Sequence, residues 1–90
     1  MDYEQKLKSE GFSHVYTWSD KPGVTYPAHA HKGKVSYFVS AGSITMKLDN
    51  REVLVQTGER MDVSVGEMHS AVVGPDGCAF VVGEEIEGDS

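Results

Sequence analysis

The segment Ser43-Ile44-Thr45-Met46-Lys47-Leu48-Asp49 alternates apolar and polar side chains without a break. Successive side chains on a strand point to opposite faces. Ile44, Met46 and Leu48 therefore share one face, and Thr45, Lys47 and Asp49 share the other. Asp49-Asn50-Arg51 then reads as a tight hairpin, because Asn tolerates positive φ. The pattern returns further on, where Met61, Val63 and Val65 oppose Arg60, Asp62 and Ser64. One buried and one wet face is the mark of antiparallel strands.

Working outward, no helical period appears after residue 12. Short alternating or β-branched runs predict strands at 12–19, 24–31, 35–41, 43–49, 52–56, 60–65, 68–73 and 78–83. Turn residues separate them at 20–23, 32–34, 42, 49–51, 58–59, 66–67 and 74–77. In Pro75-Asp76-Gly77, Pro sets φ early and Gly permits a late positive φ. Eight such strands can form a single antiparallel β-barrel or two-sheet jelly roll, so the fold class is all-β. Residues 1–90 read as one domain, with a barrel core at about 12–83. An N-terminal arm covers 1–11 and an acidic tail covers 84–90. The arm can form one or two helical turns with Tyr3 and Leu7 on one face, or pair with another subunit. The tail reads as a solvated terminus.

The 90 residues carry eight Lys+Arg against fourteen Asp+Glu, a formal charge of −6. No basic patch is present, which argues against a nucleic-acid partner. No apolar run approaches the roughly 20 residues of a membrane span. The charged start MDYEQKLKSE is not a secretory signal. A lone Cys78 cannot form an internal disulfide, so a reducing, cytoplasmic setting is expected. So small a core needs other support, from a bound metal or a second subunit. A homodimer is therefore expected.

His29-Ala30-His31 places two imidazoles at i and i+2, on one face of a strand. Neutral imidazole is a common ligand of Zn, Fe, Ni and Cu. His69, on a later strand, can return opposite the pair in an antiparallel barrel. Two surface histidines would give the same letters, so the pattern alone leaves both readings open.

The wider spacing adds to it. Gly23-x5-His29-x-His31 followed by Gly42 resembles the first motif of the cupin superfamily, and Gly58-x5-Ser64-x-Gly66-x2-His69 resembles the second. Fifteen residues separate Gly42 from Gly58, as in small microbial cupins. Trp18-Ser19-Asp20-Lys21-Pro22-Gly23, Gly74-Pro75-Asp76-Gly77 and Phe80-Val81-Val82-Gly83 resemble small stand-alone cupins as well. The resemblance covers about residues 12–83. It implies a single cupin barrel whose His29, His31 and His69 hold a divalent Fe, Mn, Ni, Zn or Cu ion. It also implies that their ring nitrogens lie within about 5 Å of one another.

The sequence departs from the family pattern at one chemically important slot. The glutamate of the first motif is replaced by Val35, and neither Lys34 nor Ser36 supplies a carboxylate. Three neutral histidines leave the full charge on a bound ion, so a small anionic ligand is expected. Three-histidine cupins include oxygenases of β-diketones and thiols, so the change does not exclude catalysis. Strand parity turns Val35, Tyr37 and Val39 inward, and Val35 is expected to make the pocket more apolar. Tyr37 is the candidate catalytic residue, or a core residue with a satisfied hydroxyl.

Met46, Met61 and Met68 are pocket or core candidates. Trp18 and Tyr26 read as core or interface, and His14 as standing outside the site. Asp62 and Glu67 are the carboxylates nearest the second motif, able to orient a ligand histidine or simply to face water. The expected function is metal and small-ligand binding. A metal-dependent oxygenase or isomerase is one alternative, and a metal-free or vestigial barrel is another. The residues leave open whether the chain is an enzyme.

Overall fold

The computed structural model describes residues 2–85. A helix α1 (Tyr3–Ser9) is followed by β1 (His14–Asp20), β2 (Thr25–His29), β3 (Val35–Leu48), β4 (Arg51–Gln56), β5 (Arg60–Val63) and β6 (His69–Glu84). All pairings are antiparallel. The two long strands lie side by side, from Val35 opposite Glu84 to Leu48 opposite His69. The free edge of β6 takes β2 and then β1, and the free edge of β3 takes β5 and then β4. Among the described residues no ladder joins these outer strands to each other, so the sheet is not closed.

The expected breaks at 42 and 74–77 are bends inside continuous strands, so six strands replace the eight expected. Both bends occur at the same place. Gly42 pairs with Cys78, and the ladder shifts register on either side of Gly42. Gly42 and Gly77 have φ of 80° and 79°. A Cβ on Gly42 would run into the Gly77 carbonyl oxygen. Two backbones thus cross where only glycine gives both the left-handed conformation and the clearance. The bends fold the sheet over one core, in which Val35 and Val63 of one half meet Ile44 and Val55 of the other.

The alternation that predicted the buried face holds across β3 and β4, with Ile44, Met46, Leu48 and Val55 buried and Leu54 exposed. Leu48 and Arg51 close the expected hairpin. Neither Asp49 nor Asn50 adopts positive φ, so the turn does not use the freedom of Asn. Val65 departs from the reading. β5 ends at Val63, and Val65 is 58% exposed in the turn that follows. The next residue, Gly66, has φ of 75° and donates its N–H to the His31 carbonyl at 2.9 Å. Turn geometry here prevails over strand parity.

The N-terminal segment forms the helical alternative. Asp2 caps α1 by accepting the Gln5 N–H at 3.0 Å. Leu7 is fully buried against Phe38 and Val81 on the outer face of the sheet, and Tyr3 stacks on Phe38 at 4.6 Å. A Cβ on Gly83 would come within 2.9 Å of the Phe12 ring, so a small residue permits this docking. Arg60 clamps the end of the helix through Glu10, with contacts of 2.7 and 2.5 Å. It also reaches Ser36 at 2.7 Å and Asp62 at 2.9 Å.

Two outcomes test this account. Gly42→Ala should destabilise the chain by about 2 kcal/mol or more in urea unfolding, through the left-handed φ and the blocked crossing. The Arg60 guanidinium lowers the Glu10 carboxyl from 4.5 to about 2. A lowered folded-state value contributes stability above the unfolded value and loses it as the pH falls through the folded one. The difference in unfolding midpoint between wild type and Glu10→Gln should therefore be full at pH 6 and largely lost as the pH falls to 2.

Candidate metal centre

β2 reaches the site across an irregularity. Its pairing with β6 shifts register between Tyr26 and His29, and His29 then stands opposite His69. His31 follows in the loop after the strand, pinned by the Gly66 N–H on its carbonyl. His69 opens β6 and lies 2% exposed, with Leu48 on its other side. The ring centroids are 4.9 Å apart for His29 and His31, 4.3 Å for His29 and His69, and 5.1 Å for His31 and His69. One ligand nitrogen from each lies within 4.8 Å of the others. The structure thus brings together the three histidines singled out from the motifs, inside the expected 5 Å.

The backbone sets the ring tautomers. His29 Nδ1 lies 2.7 Å from the Pro27 carbonyl oxygen, and His69 Nδ1 lies 3.1 Å from the Glu67 carbonyl oxygen. A carbonyl can only accept, so each Nδ1 carries a proton, and in the neutral ring the lone pair is then on Nε2. The Nε2 atoms of His31 and His69 are buried without a hydrogen-bond partner. Burial and then the neighbouring His69 and His29 rings lower the His31 pKa, which favours its neutral, ligating form. Buried polar atoms without partners are uncommon. Two of them in a trio of histidines whose ligand nitrogens lie within 4.8 Å of one another fit a divalent cation. Nitrogens sharing one ion at about 2.1 Å can be at most about 4.2 Å apart, so only a small ring movement separates this cluster from a ligating one.

The histidines line a cavity of about 280 Å³. Tyr16, Trp18, Tyr26, Tyr37 and Phe80 border it, with Ile44, Met46, Ala71 and Glu84. Tyr37 faces the cavity as parity required, and burial followed by the Glu84 charge raises its hydroxyl to about 12. It is therefore a proton donor at neutral pH and not a base. Met46 lines the cavity, Met61 belongs to the core and Met68 is exposed. His14 stands apart, its ring 4.9 Å from that of Tyr16. Cys78 is buried, which pushes its thiol up to about 11.

Several sequence readings change. Val35 is core and does not border the cavity. The carboxylate missing from its slot stands across the ladder, because Glu84 pairs with Val35 and so shares its face. Glu84 falls within the expected solvated tail. It is instead the last residue of β6, and it accepts the Tyr16 hydroxyl at 3.0 Å. Glu85 also packs, its N–H donating to the Lys34 carbonyl at 3.0 Å. Residues 86–90 of that tail lie outside the described residues. Trp18 and Tyr26 line the cavity, and Tyr26 also packs against the core. Asp20 holds both, accepting the Trp18 indole N–H at 3.0 Å and the Tyr26 hydroxyl. Glu67 orients His69 through its carbonyl, while Asp62 bonds Ser36 and Arg60 away from the site.

No protein-family model matches the chain, and none of the curated proteins matches it in sequence. Solved structures do match. An RmlC-like cupin from Shewanella frigidimarina superposes with a TM-score of 0.71 at 20% identity, covering 83% of this chain and 68% of that one. DMSP lyase DddQ from Ruegeria pomeroyi gives 0.75 at 18% identity, over 84% of this chain and 39% of the lyase. KdgF from Halomonas sp. gives 0.69 at 18% identity, over 83% and 70%. The fold is that of the cupins, and in this chain it carries a three-histidine cluster. Among the described residues no helix is long and apolar enough to cross a membrane.

The tautomer argument is directly measurable. In metal-free protein, imidazole ¹⁵N shifts of His29 and His69 should show Nδ1 protonated and Nε2 unprotonated. The opposite tautomer at His69 would contradict the reading.

Proposed function

We propose that the chain is a small metal-binding cupin in which Nε2 of His29, His31 and His69 holds one divalent transition-metal ion. The observation that carries this is the pair of buried, partnerless Nε2 atoms on His31 and His69, in a trio with His29 whose ligand nitrogens lie within 4.8 Å of one another. A neutral imidazole set suits Zn, Cu, Fe and Ni, and Mn belongs with them in any loading test. Such an ion supplies Lewis acidity toward an oxygen of a small bound ligand. With no ligand charge to offset it, the ion favours an anionic group such as a carboxylate or enolate. The cavity of about 280 Å³ suits a ligand of small-metabolite size.

A second reading is an enzyme of this same site. It is favoured by Glu84, a carboxylate bordering the cavity and able to accept a proton, beside the Tyr37 hydroxyl, able to donate one. The lyase named among the structural matches has this fold and also fits such a reading. The chain would work as a homodimer in the cytoplasm. Exposed Leu54 and Met68 are apolar surface that a second copy would cover.

Elemental analysis of tag-free protein tests the metal. Wild type and His69→Ala would be loaded separately with Fe, Mn, Ni, Zn and Cu, then desalted. Wild type should keep about one ion per chain with at least one of these metals, and His69→Ala should lose it. A wild type that retains none would replace this reading with a metal-free barrel.

A further inference from the structure

Glu84 brings a negative charge into a wall otherwise built of aromatic and apolar groups. Its place follows from the register, since it pairs with inward-facing Val35 on one side. On its other side it pairs with His14, two residues before the cavity residue Tyr16. The Tyr16 hydroxyl holds the carboxylate at 3.0 Å and leaves most of its acceptor capacity free. No Lys or Arg borders the cavity, and among the described residues no ion pair neutralises Glu84. Five aromatic rings share the cavity with it, and two of these, Trp18 and Tyr26, are fixed by Asp20. The Tyr16 and Tyr37 hydroxyls are both held protonated by burial and by Glu84 itself, so neither adds competing charge.

A carboxylate among aromatic rings is a cation-binding environment. Ring faces attract an alkylated ammonium group, and the carboxylate supplies the opposite charge in a partly dehydrated space. The chain's net charge of −6 favours the approach of a cation. We propose that Glu84, with the aromatic side chains that line the same cavity, forms a binding site for the alkylammonium group of a small organic ligand. The site goes beyond the metal-binding reading and stands without it. If both hold, the ligand is amphoteric, with an acidic group for the ion and a cationic group for Glu84.

Trp18 is the single tryptophan of the chain and borders the cavity, so its fluorescence reports occupancy. Tag-free protein, as purified and again after chelation, would be titrated with choline at fixed ionic strength. A parallel titration would use 3,3-dimethylbutan-1-ol, in which carbon replaces the ammonium nitrogen. Choline should give a saturable change in both preparations and bind at least about tenfold more tightly than the alcohol. Glu84→Gln should remove that preference. A neutral alcohol binding as tightly as choline would overturn the proposal. So would no saturable response to choline, or an unchanged preference in folded Glu84→Gln. Should that substitution prevent folding, the wild-type comparison of choline with the alcohol decides alone. Metal content is read separately, so failure of the metal site leaves this result standing, and the reverse also holds.

Discussion

The long antiparallel ladder between β3 and β6 is the constraint on which the rest depends. Among the described residues every other strand pairs with one of these two, and neither end of the sheet closes on the other. At one end of the ladder His69 lies opposite Leu48, and at the other Glu84 lies opposite Val35. A strand positions side chains only in steps of two residues, and a one-residue slip turns every side chain to the other face. The Gly42–Cys78 crossing makes the register definite. Its backbone contact is too close for a Cβ, and both bends use left-handed glycines. The bends also turn a flat ladder into the wall of a cavity, because the two halves then face each other over one core.

The metal candidate depends on the same ladder in a second way. β6 carries His69 into a buried position, where an imidazole needs either a partner or a ligand. Backbone carbonyls of Pro27 and Glu67 take up the Nδ1 protons, so the site does not rely on neighbouring carboxylates to orient its rings. This explains how the cluster can be organised without the motif glutamate. It also separates two roles that one carboxylate would otherwise combine. The trio itself contains no carboxylate, and the acidic Glu84 stands at the far end of the strand that carries His69, tied to Tyr16. Three imidazoles and an acidic side chain thus share one small cavity.

The outer face shows how a small sheet gains support without burying more of its inner face. Leu7 and Tyr3 of α1 cover Phe38 and Val81, and Arg60 joins Glu10 to the sheet. Removing Leu7 would expose a second apolar cluster, at a cost of about 2–5 kcal/mol by analogy with other buried leucines. The helix is short and its isolated stability is slight. Its order follows from docking, and Gly83 leaves room for the Phe12 ring beside it.

The sequence by itself determined whatever depends on local periodicity and spacing. Alternation in Ser43–Asp49 marked the buried face, the glycines marked places where the chain changes direction, read as breaks between strands, and two motifs resembling those of the cupins pointed to His29, His31 and His69. Strand parity turned Tyr37 inward, because parity is a local property of a pleated chain. Only the tertiary structure decided which strands continue through Gly42 and Gly77, since a bend and a turn carry the same residues. It alone ended β5 before Val65, because the Gly66 contact comes from a distant loop. It alone turned Glu84 from a tail residue into a cavity wall, and Trp18 and Tyr26 with it. Their places follow from pairing register between strands far apart in the chain, and no local pattern encodes that register.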